Sequence, residues 1–183
     1  MKVAIIVASK HGSTREIAEA ITTELRAHNH TADLLDVEYV TELDGYGAVI
    51  LGSAIYGGNW LTKAMRFTKV FQKELLQIPV WLFSSGPLNA DTTRPQADRP
   101  KPTLPLGEIK PRDHHLFVGK LDLADLGLME RMLVSAMRIS TGDYRDWDDI
   151  RGWARGIAEE LHKADVPTDA VRATVLLPDC PSC

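Results

Sequence analysis

The feature that most constrains the fold is an apolar segment, residues 3–8, that leads through a short polar turn into an amphipathic pattern. The segment reads VAIIVA, and an unbroken apolar run of this length is typical of a strand buried on both faces of a parallel sheet. Beyond the turn, Ile17, Ile21 and Leu25 recur at one-turn spacing, which predicts a helix packed on that strand. Because parallel strands require long crossover connections, this beginning predicts an α/β chain.

The rest of the sequence repeats the alternation of short apolar runs and helical patterns. Further strands are predicted at residues 31–37, 48–52, 79–84 and 115–118, and further helices at residues 61–76, 125–139 and 147–163. Buried strands that alternate with helices form a parallel sheet with helices on both faces. The predicted fold class is therefore α/β, a three-layer sandwich around a five-stranded parallel sheet.

The turn after the first strand is rich in groups that bind anions. Hydroxyl side chains surround a single glycine, which lets the backbone approach a ligand closely. The first backbone N–H groups of a helix have no intrahelical partner and lie at the positive end of the helix dipole. The candidate phosphate site consists of Ser9, Lys10, His11, Gly12, Ser13 and Thr14. The alternative is an ordinary helix cap made by Ser13 or Thr14.

Missing motifs narrow the choice of phosphate ligand. A nucleoside-triphosphate loop requires a second glycine followed by lysine, and a dinucleotide loop requires three spaced glycines. Neither pattern is present in the turn. A phosphatase loop requires a cysteine nucleophile, but Cys180 and Cys183 lie at the end of the sequence. What remains is a short loop suited to one phosphate group.

Two further strand ends are expected to open on the same edge of the sheet, because the carboxyl ends of parallel strands lie together. Both contain small residues, and the first also contains two aromatic side chains. The candidate residues are Ser53, Ala54, Ile55, Tyr56, Gly57, Gly58 and Trp60, then Ser84, Ser85 and Gly86. Such groups can flank a planar ring, although Tyr56 and Trp60 could instead anchor the next helix. A planar ring, a polyol linker and one phosphate describe flavin mononucleotide (FMN).

With these motifs the chain resembles the flavodoxin-like superfamily over residues 1–164, and within it the flavodoxin-domain proteins similar to menaquinone-dependent protoporphyrinogen dehydrogenase. Ser9, Gly12 and Thr14 match that family's phosphate turn, and residues 52–57 resemble its Gly-Ser/Ala-Ser/Ala-Ile turn. Asp146 before Trp147 resembles its acidic-aromatic helix start. The resemblance implies that residues 9–14 bind the FMN phosphate and that residues 53–57 and 84–86 flank the flavin ring.

The resemblance further implies an FMN-dependent oxidoreductase that passes electrons between a small organic substrate and a quinone-like acceptor. The alternative is a flavodoxin-type carrier of electrons between proteins. Because the flavin carries the chemistry, no catalytic side chain and no metal site is predicted. Residues 87–111 contain six prolines and predict a flexible flap beside the ring. A flap favours the enzyme, because a carrier needs an exposed ring edge.

Charge and hydropathy set the expected partners and location. The net charge is −4 and basic residues are not clustered, so nucleic acid is not an expected partner. The sequence enters a strand directly and has no apolar run of about 20 residues, so a cytoplasmic protein is expected. Within residues 126–139 one helical face is expected to pack on the sheet, formed by Leu126, Met129, Leu133, Ala136 and Met137. The further apolar side chains suggest a homodimer or a weak membrane-surface contact, and the alternative is packing inside the protein. Residues 165–183 are expected to form a tail after the 1–164 domain.

Overall fold

The structure, a computed structural model, describes residues 1–86, 104, 106–136 and 141–165. Its strands and helices alternate along the chain, as the apolar pattern predicts. The elements are β1 (Lys2–Ala8), α1 (Ser13–Ala27), β2 (Thr31–Asp36), β3 (Ala48–Tyr56), β4 (Asn59–Trp60), α2 (Thr62–Val70), α3 (Gln72–Leu75), β5 (Val80–Gly86), β6 (Asp113–Val118), β7 (Lys120–Leu121), a 3₁₀ turn (Leu123–Asp125), α4 (Leu128–Ala136), β8 (Gly142–Asp143) and α5 (Trp147–Asp165).

The main sheet has the order β2-β1-β3-β5-β6, and these five strands are parallel. The predicted five-stranded parallel sheet is thus confirmed. The short strand β4 adds an antiparallel pairing with β3, while β7 and β8 form a separate two-stranded ribbon. The order reverses direction between β1 and β3, so a crevice is expected beyond the carboxyl ends of these two strands.

Helices cover both faces of the sheet because the side chains of β1 alternate between them. Val3, Ile5 and Val7 pack in one core with α1 and α5, while Ala4 and Ile6 pack in a second core with α2 and α3. All five of these side chains are fully buried. A strand buried on both faces has no polar positions, which explains the unbroken apolar run in the sequence.

The strand β3 is longer than the sequence pattern predicts. It continues past Gly52 to Tyr56 because Ile55 and Tyr56 pair with Trp60 and Asn59 across a two-residue turn. Both turn residues are glycines in the left-handed region, Gly57 at φ 56° and Gly58 at φ 80°. A two-residue hairpin turn of type I′, which matches the twist of the strands, requires positive φ at both central residues. Residues 53–56, predicted as a loop, therefore lie in a strand.

The helical patterns at residues 61–76 and 125–139 also differ from the structure. The first is divided at Phe71 into α2 and α3, and the Phe71 ring packs on Phe67 with centroids 4.7 Å apart. The second begins later, at Leu128, because the Asp122 side chain accepts from the N–H of Ala124 and starts a 3₁₀ turn instead. On α4, Met129 is 81% exposed, so the expectation that it packs on the sheet was wrong.

Most of the predicted flap, and the tail with Cys180 and Cys183, lie outside the described residues. The end of the flap is described, and it packs on the protein. Ile109 is 5% exposed within the core beneath α2, and Leu104 and Leu106 are partly buried against the same core. This part of the segment therefore contributes side chains to the core beneath α2. None of the helices within the described ranges is long and apolar enough to span a bilayer.

Candidate functional site

A cavity of about 430 Å³ opens beyond the carboxyl ends of β1, β3, β5 and β6. Its volume lies in the range of small-molecule sites in proteins. It adjoins the point where the strand order reverses, which is where open parallel sheets bind ligands. Its lining comes from four chain segments, namely residues 9–11 with 13–14, residues 54–58, residues 85–86, and a group of eight between 119 and 134.

The turn before α1 presents hydrogen-bond donors to this cavity. Gly12 occupies the N-cap position at φ 87°, and no side chain of the described residues caps the helix. The alternative that Ser13 or Thr14 is an ordinary cap is therefore wrong. The hydroxyl oxygen of Ser9 accepts from the N–H of Gly12 at 3.1 Å, and that of Ser13 accepts from the N–H of Lys120 at 3.1 Å. A hydroxyl oxygen that accepts a hydrogen bond keeps its own proton, so both side chains can donate to an anion.

The hairpin between β3 and β4 forms the second side of the cavity. Residues 54–58 line it, and Tyr56 stands at its mouth with its side chain 40% exposed. The ammonium group of Lys10 lies 4.8 Å from the centre of the Tyr56 ring. Burial raises the pKa of the Tyr56 phenol to about 12, and the negative charge of Glu130 adds to the shift. The phenol is therefore neutral near pH 7 and can donate a hydrogen bond.

Four predicted site residues do not line the cavity within the described part of the chain: Gly12, which is the N-cap of α1, and the three side chains of Ser53, Trp60 and Ser84. Ser53 is fully buried, and its hydroxyl donates to the carbonyl of Ala54 and accepts from the N–H of Leu61. Trp60 is 3% exposed, and its indole N–H donates to the hydroxyl of Ser84 at 2.7 Å. Buried polar groups require such partners, and these bonds turn the three side chains inward. They shape the second side of the cavity instead of contacting its contents.

The fourth segment that lines the cavity was missed by the sequence analysis. Its residues follow β6 and continue into α4, namely Gly119, Lys120, Leu121, Asp122, Asp125, Leu126, Glu130 and Val134. A signal for it existed, because β6 is a predicted parallel strand and Gly119 follows its carboxyl end. The rule that ligands bind at these ends applies to β6 as much as to β1 and β3.

A charged cluster joins this fourth segment to the phosphate turn. The carboxylate of Glu130 accepts from the Lys10 ammonium group and from the N–H of Gly127. These two hydrogen bonds, the one from Lys10 foremost, lower the pKa of Glu130 to about 2. The stabilisation by ionised Glu130 is complete above the usual carboxyl pKa of 4.5 and is lost as the pH falls toward 2.

His11 is the third residue of the cluster, and one of its ring nitrogens makes no hydrogen bond to the described residues. Its Nε2 atom is buried, lacks a hydrogen-bond partner among the described residues, and lies 3.4 Å from a carboxylate oxygen of Glu130. This contact is an ion pair only when the imidazole is protonated. A buried nitrogen without a hydrogen bond at the edge of a cavity is a ready partner for a ligand oxygen.

The ribbon of β7 and β8 is tied to the first turn of α1. The guanidinium of Arg145, 4% exposed, contacts Asp143 on the ribbon at 2.6 Å and Glu16 on α1 at 2.6 Å. It also stacks over the Trp147 ring at 4.5 Å. These forked contacts are the strong kind of charge-assisted hydrogen bond. They place Lys120 and Leu121 beside the phosphate turn.

Known proteins resemble this chain in sequence and in fold. A family model described as flavodoxin domain matches residues 4–148. Protoporphyrinogen IX dehydrogenase (quinone) of Escherichia coli K12 is 25% identical over 185 residues, covering 92% of this chain and 99% of the relative. Among solved structures, a mutant flavodoxin from Pseudomonas aeruginosa has a TM-score of 0.55 at 17% identity, covering 88% of this chain and 99% of that one.

Two further solved structures share the fold, and one of them belongs to a larger protein. Rubredoxin oxygen:oxidoreductase from Desulfovibrio gigas aligns with a TM-score of 0.53 at 15% identity, covering 88% of this chain but 36% of that chain. An archaeal flavodoxin aligns with a TM-score of 0.52 at 16% identity, covering 88% and 99%. At these identities the solved structures share the fold.

Proposed function

Because the chain belongs to the flavodoxin domain family, we propose that it is an FMN-dependent oxidoreductase, passing electrons between a small organic substrate and a quinone-like acceptor. FMN is its cofactor. The observation that carries the proposal is the meeting, in one cavity, of an uncapped helix start, a glycine hairpin and two strand ends.

The residues around α1 fit the phosphate of FMN. Ser9 and Ser13 have hydroxyl protons available, and Thr14, a buried residue, lines the cavity beside them. The buried Nε2 of His11 supplies a further group that a phosphate oxygen would satisfy. Backbone N–H groups at the start of α1 add the positive end of the helix dipole. These groups would bind the phosphate without a metal ion or an arginine.

The remaining sides of the cavity fit the flavin ring. When bound, FMN supplies the redox chemistry, so the side chains do not have to supply it. The hairpin at residues 55–58 and the strand end at residues 85–86 would orient the ring. The neutral phenol of Tyr56 can hold a hydrogen bond at the mouth, and Leu121 and Leu126 exclude water from the opposite side.

The fourth segment favours an enzyme over an electron carrier. A carrier exposes the edge of its ring to partner proteins, whereas residues 119–134 partly enclose this cavity. The bacterial relative is named for a quinone, which supports a quinone-like acceptor here. Protoporphyrinogen is the first substrate to test, because the name of the same relative includes it.

The purified protein is expected to carry FMN, identified by mass after denaturation. Anaerobic mixing with candidate donors should bleach the flavin absorbance, and a menaquinone analogue should restore it over repeated turnovers. Recovery of FAD, or no flavin binding after reconstitution, contradicts the proposal. Reduction that only a partner protein can reverse supports the electron carrier instead.

The exposed apolar face of α4 supports the proposal that this helix forms a contact surface. A second copy of the chain is the first partner to test, and a membrane surface is the second. Leu128, Met129 and Met132 are 80%, 81% and 70% exposed. Methionine adapts to varied partners, and clustered apolar exposure marks interaction sites.

Met132→Glu is expected to convert a dimer to a monomer in light scattering while FMN stays bound. Val70→Glu, at a residue 63% exposed on α2, is the control and should leave the oligomeric state unchanged. A wild-type protein that is monomeric and does not bind liposomes rules out this contact surface.

A further inference from the structure

The phosphate turn contains one basic side chain besides its histidine, and this side chain is already paired with a carboxylate. Lys10 is the only lysine or arginine among residues 9–14. Its ammonium group donates to Glu130 on α4 and lies against the Tyr56 ring. The other lysine of the cavity, Lys120, lies 3.7 Å and 3.6 Å from Asp122 and Asp125. The two lysines that the described residues contribute to this cavity are therefore already paired with carboxylates.

A phosphate bound at the start of α1 and the carboxylate of Glu130 compete for Lys10. Both are anions, and both lie beside the same short turn, since Glu130 also lies 3.4 Å from His11. Two anions that share one cation each weaken the hold of the other, because they repel one another and divide its hydrogen bonds. The ion pair between Lys10 and Glu130 therefore opposes the binding of a phosphate at this turn.

We infer that Glu130 is a positioning residue that ties α4 to the phosphate turn through Lys10, and that the cofactor phosphate takes Lys10 from it. The inference rests on the proposed function, since it requires a ligand with a phosphate. Binding of the phosphate then frees the carboxylate and loosens α4, the helix that carries Val134 into the cavity. The tie thus couples loading of the cofactor to the position of the cavity wall.

The geometry offers a substitution that removes the charge and keeps the shape. Glu130 also accepts from the N–H of Gly127 at 3.0 Å, which satisfies one backbone group at the start of α4. In Glu130→Gln the amide oxygen can still accept that bond. What disappears is the negative charge that competes with a phosphate.

The test compares FMN with riboflavin, the same flavin without its phosphate. Glu130→Gln is expected to bind FMN about tenfold more tightly at low salt, and riboflavin within about twofold of wild type. In a Lys10→Met background the same change should give less than about threefold for FMN, because the contested cation is gone. Glu38→Gln, which breaks a similar surface pair with Lys63 at 2.8 Å, is the control and should change neither affinity.

Hydrogen exchange gives a second measurement that needs no variant. Amides of residues 128–136 should exchange faster in the wild-type FMN complex than in the riboflavin complex, since only FMN releases Glu130. The inference is overturned if Glu130→Gln binds FMN more weakly than wild type, if it affects both flavins equally, or if the two complexes show identical exchange. A wild type that binds neither flavin overturns the proposed function as well, so the two failures are distinguishable.

Discussion

Gly52→Ala is expected to lower the free energy of unfolding by about 3 kcal/mol or more, the largest effect we expect from adding a single methyl group. A Cβ atom at Gly52 would lie 2.0 Å, 2.2 Å and 2.5 Å from carbons of the Phe83 ring. Phe83 is fully buried and packs against Phe117 at 5.9 Å. The ring has no free space to enter, so strain spreads into the neighbouring strands.

Thermal or denaturant unfolding measures this change, and the chain offers a matched control. Gly156→Ala adds the same methyl group on α5, where no described atom beyond the adjoining residues and the local helix backbone lies within 4 Å of the new Cβ. Alanine is a better helix former than glycine, so this variant should gain up to about 1 kcal/mol. If Gly52→Ala unfolds as easily as wild type, the Phe83 ring moves aside at little cost and the packing argument fails.

Thr14→Val is expected to weaken FMN binding by about tenfold to a hundredfold while riboflavin binding is nearly unchanged. Valine has the shape of threonine without the hydroxyl, and Thr14 is 3% exposed at the edge of the cavity. A hydrogen bond to a charged group contributes about 1.5–3 kcal/mol. Because Gly12, and not Thr14, is at the N-cap of α1, the substitution removes no helix cap.

The control for this variant is Thr22→Val on the same helix. The Thr22 hydroxyl donates to the carbonyl of Ala18 at 2.7 Å, so its loss alters α1 without reaching the cavity. Titration of each protein with FMN and riboflavin separates the two effects. If both valine variants weaken FMN equally, or if Thr14→Val weakens both flavins equally, then Thr14 does not bind the phosphate.

The fold was predictable from the sequence because its signals are local. The apolar run at residues 3–8 indicates a strand buried on both faces, and the one-turn spacing of Ile17, Ile21 and Leu25 indicates the helix that covers it. The glycine pair at residues 57–58 also had a local signal, a hairpin turn, but the apolar pattern placed the strand end too early. Periodicity finds elements better than it finds their ends.

The site was only partly predictable, because hydrogen-bond partners decide which way a polar side chain faces. Ser53 and Ser84, expected at strand ends, lie inside β3 and β5, where one bonds to the backbone and the other to Trp60. Their neighbours Ala54 and Ser85 line the cavity instead. A side-chain direction in a strand alternates with every residue, so the exact position of the strand end controls which residue faces the ligand.

The sequence by itself determined the order of strands and helices, the parallel sheet and the hydroxyl-rich turn, since each depends on residues a few positions apart. Only the tertiary structure decided what stands opposite that turn. Glu130 meets Lys10 across 120 residues of sequence, and no spacing or periodicity connects them. Such a contact exists because the segment after β6, including α4, lies along the carboxyl edge of the sheet, where chain segments that are remote in sequence share one cavity.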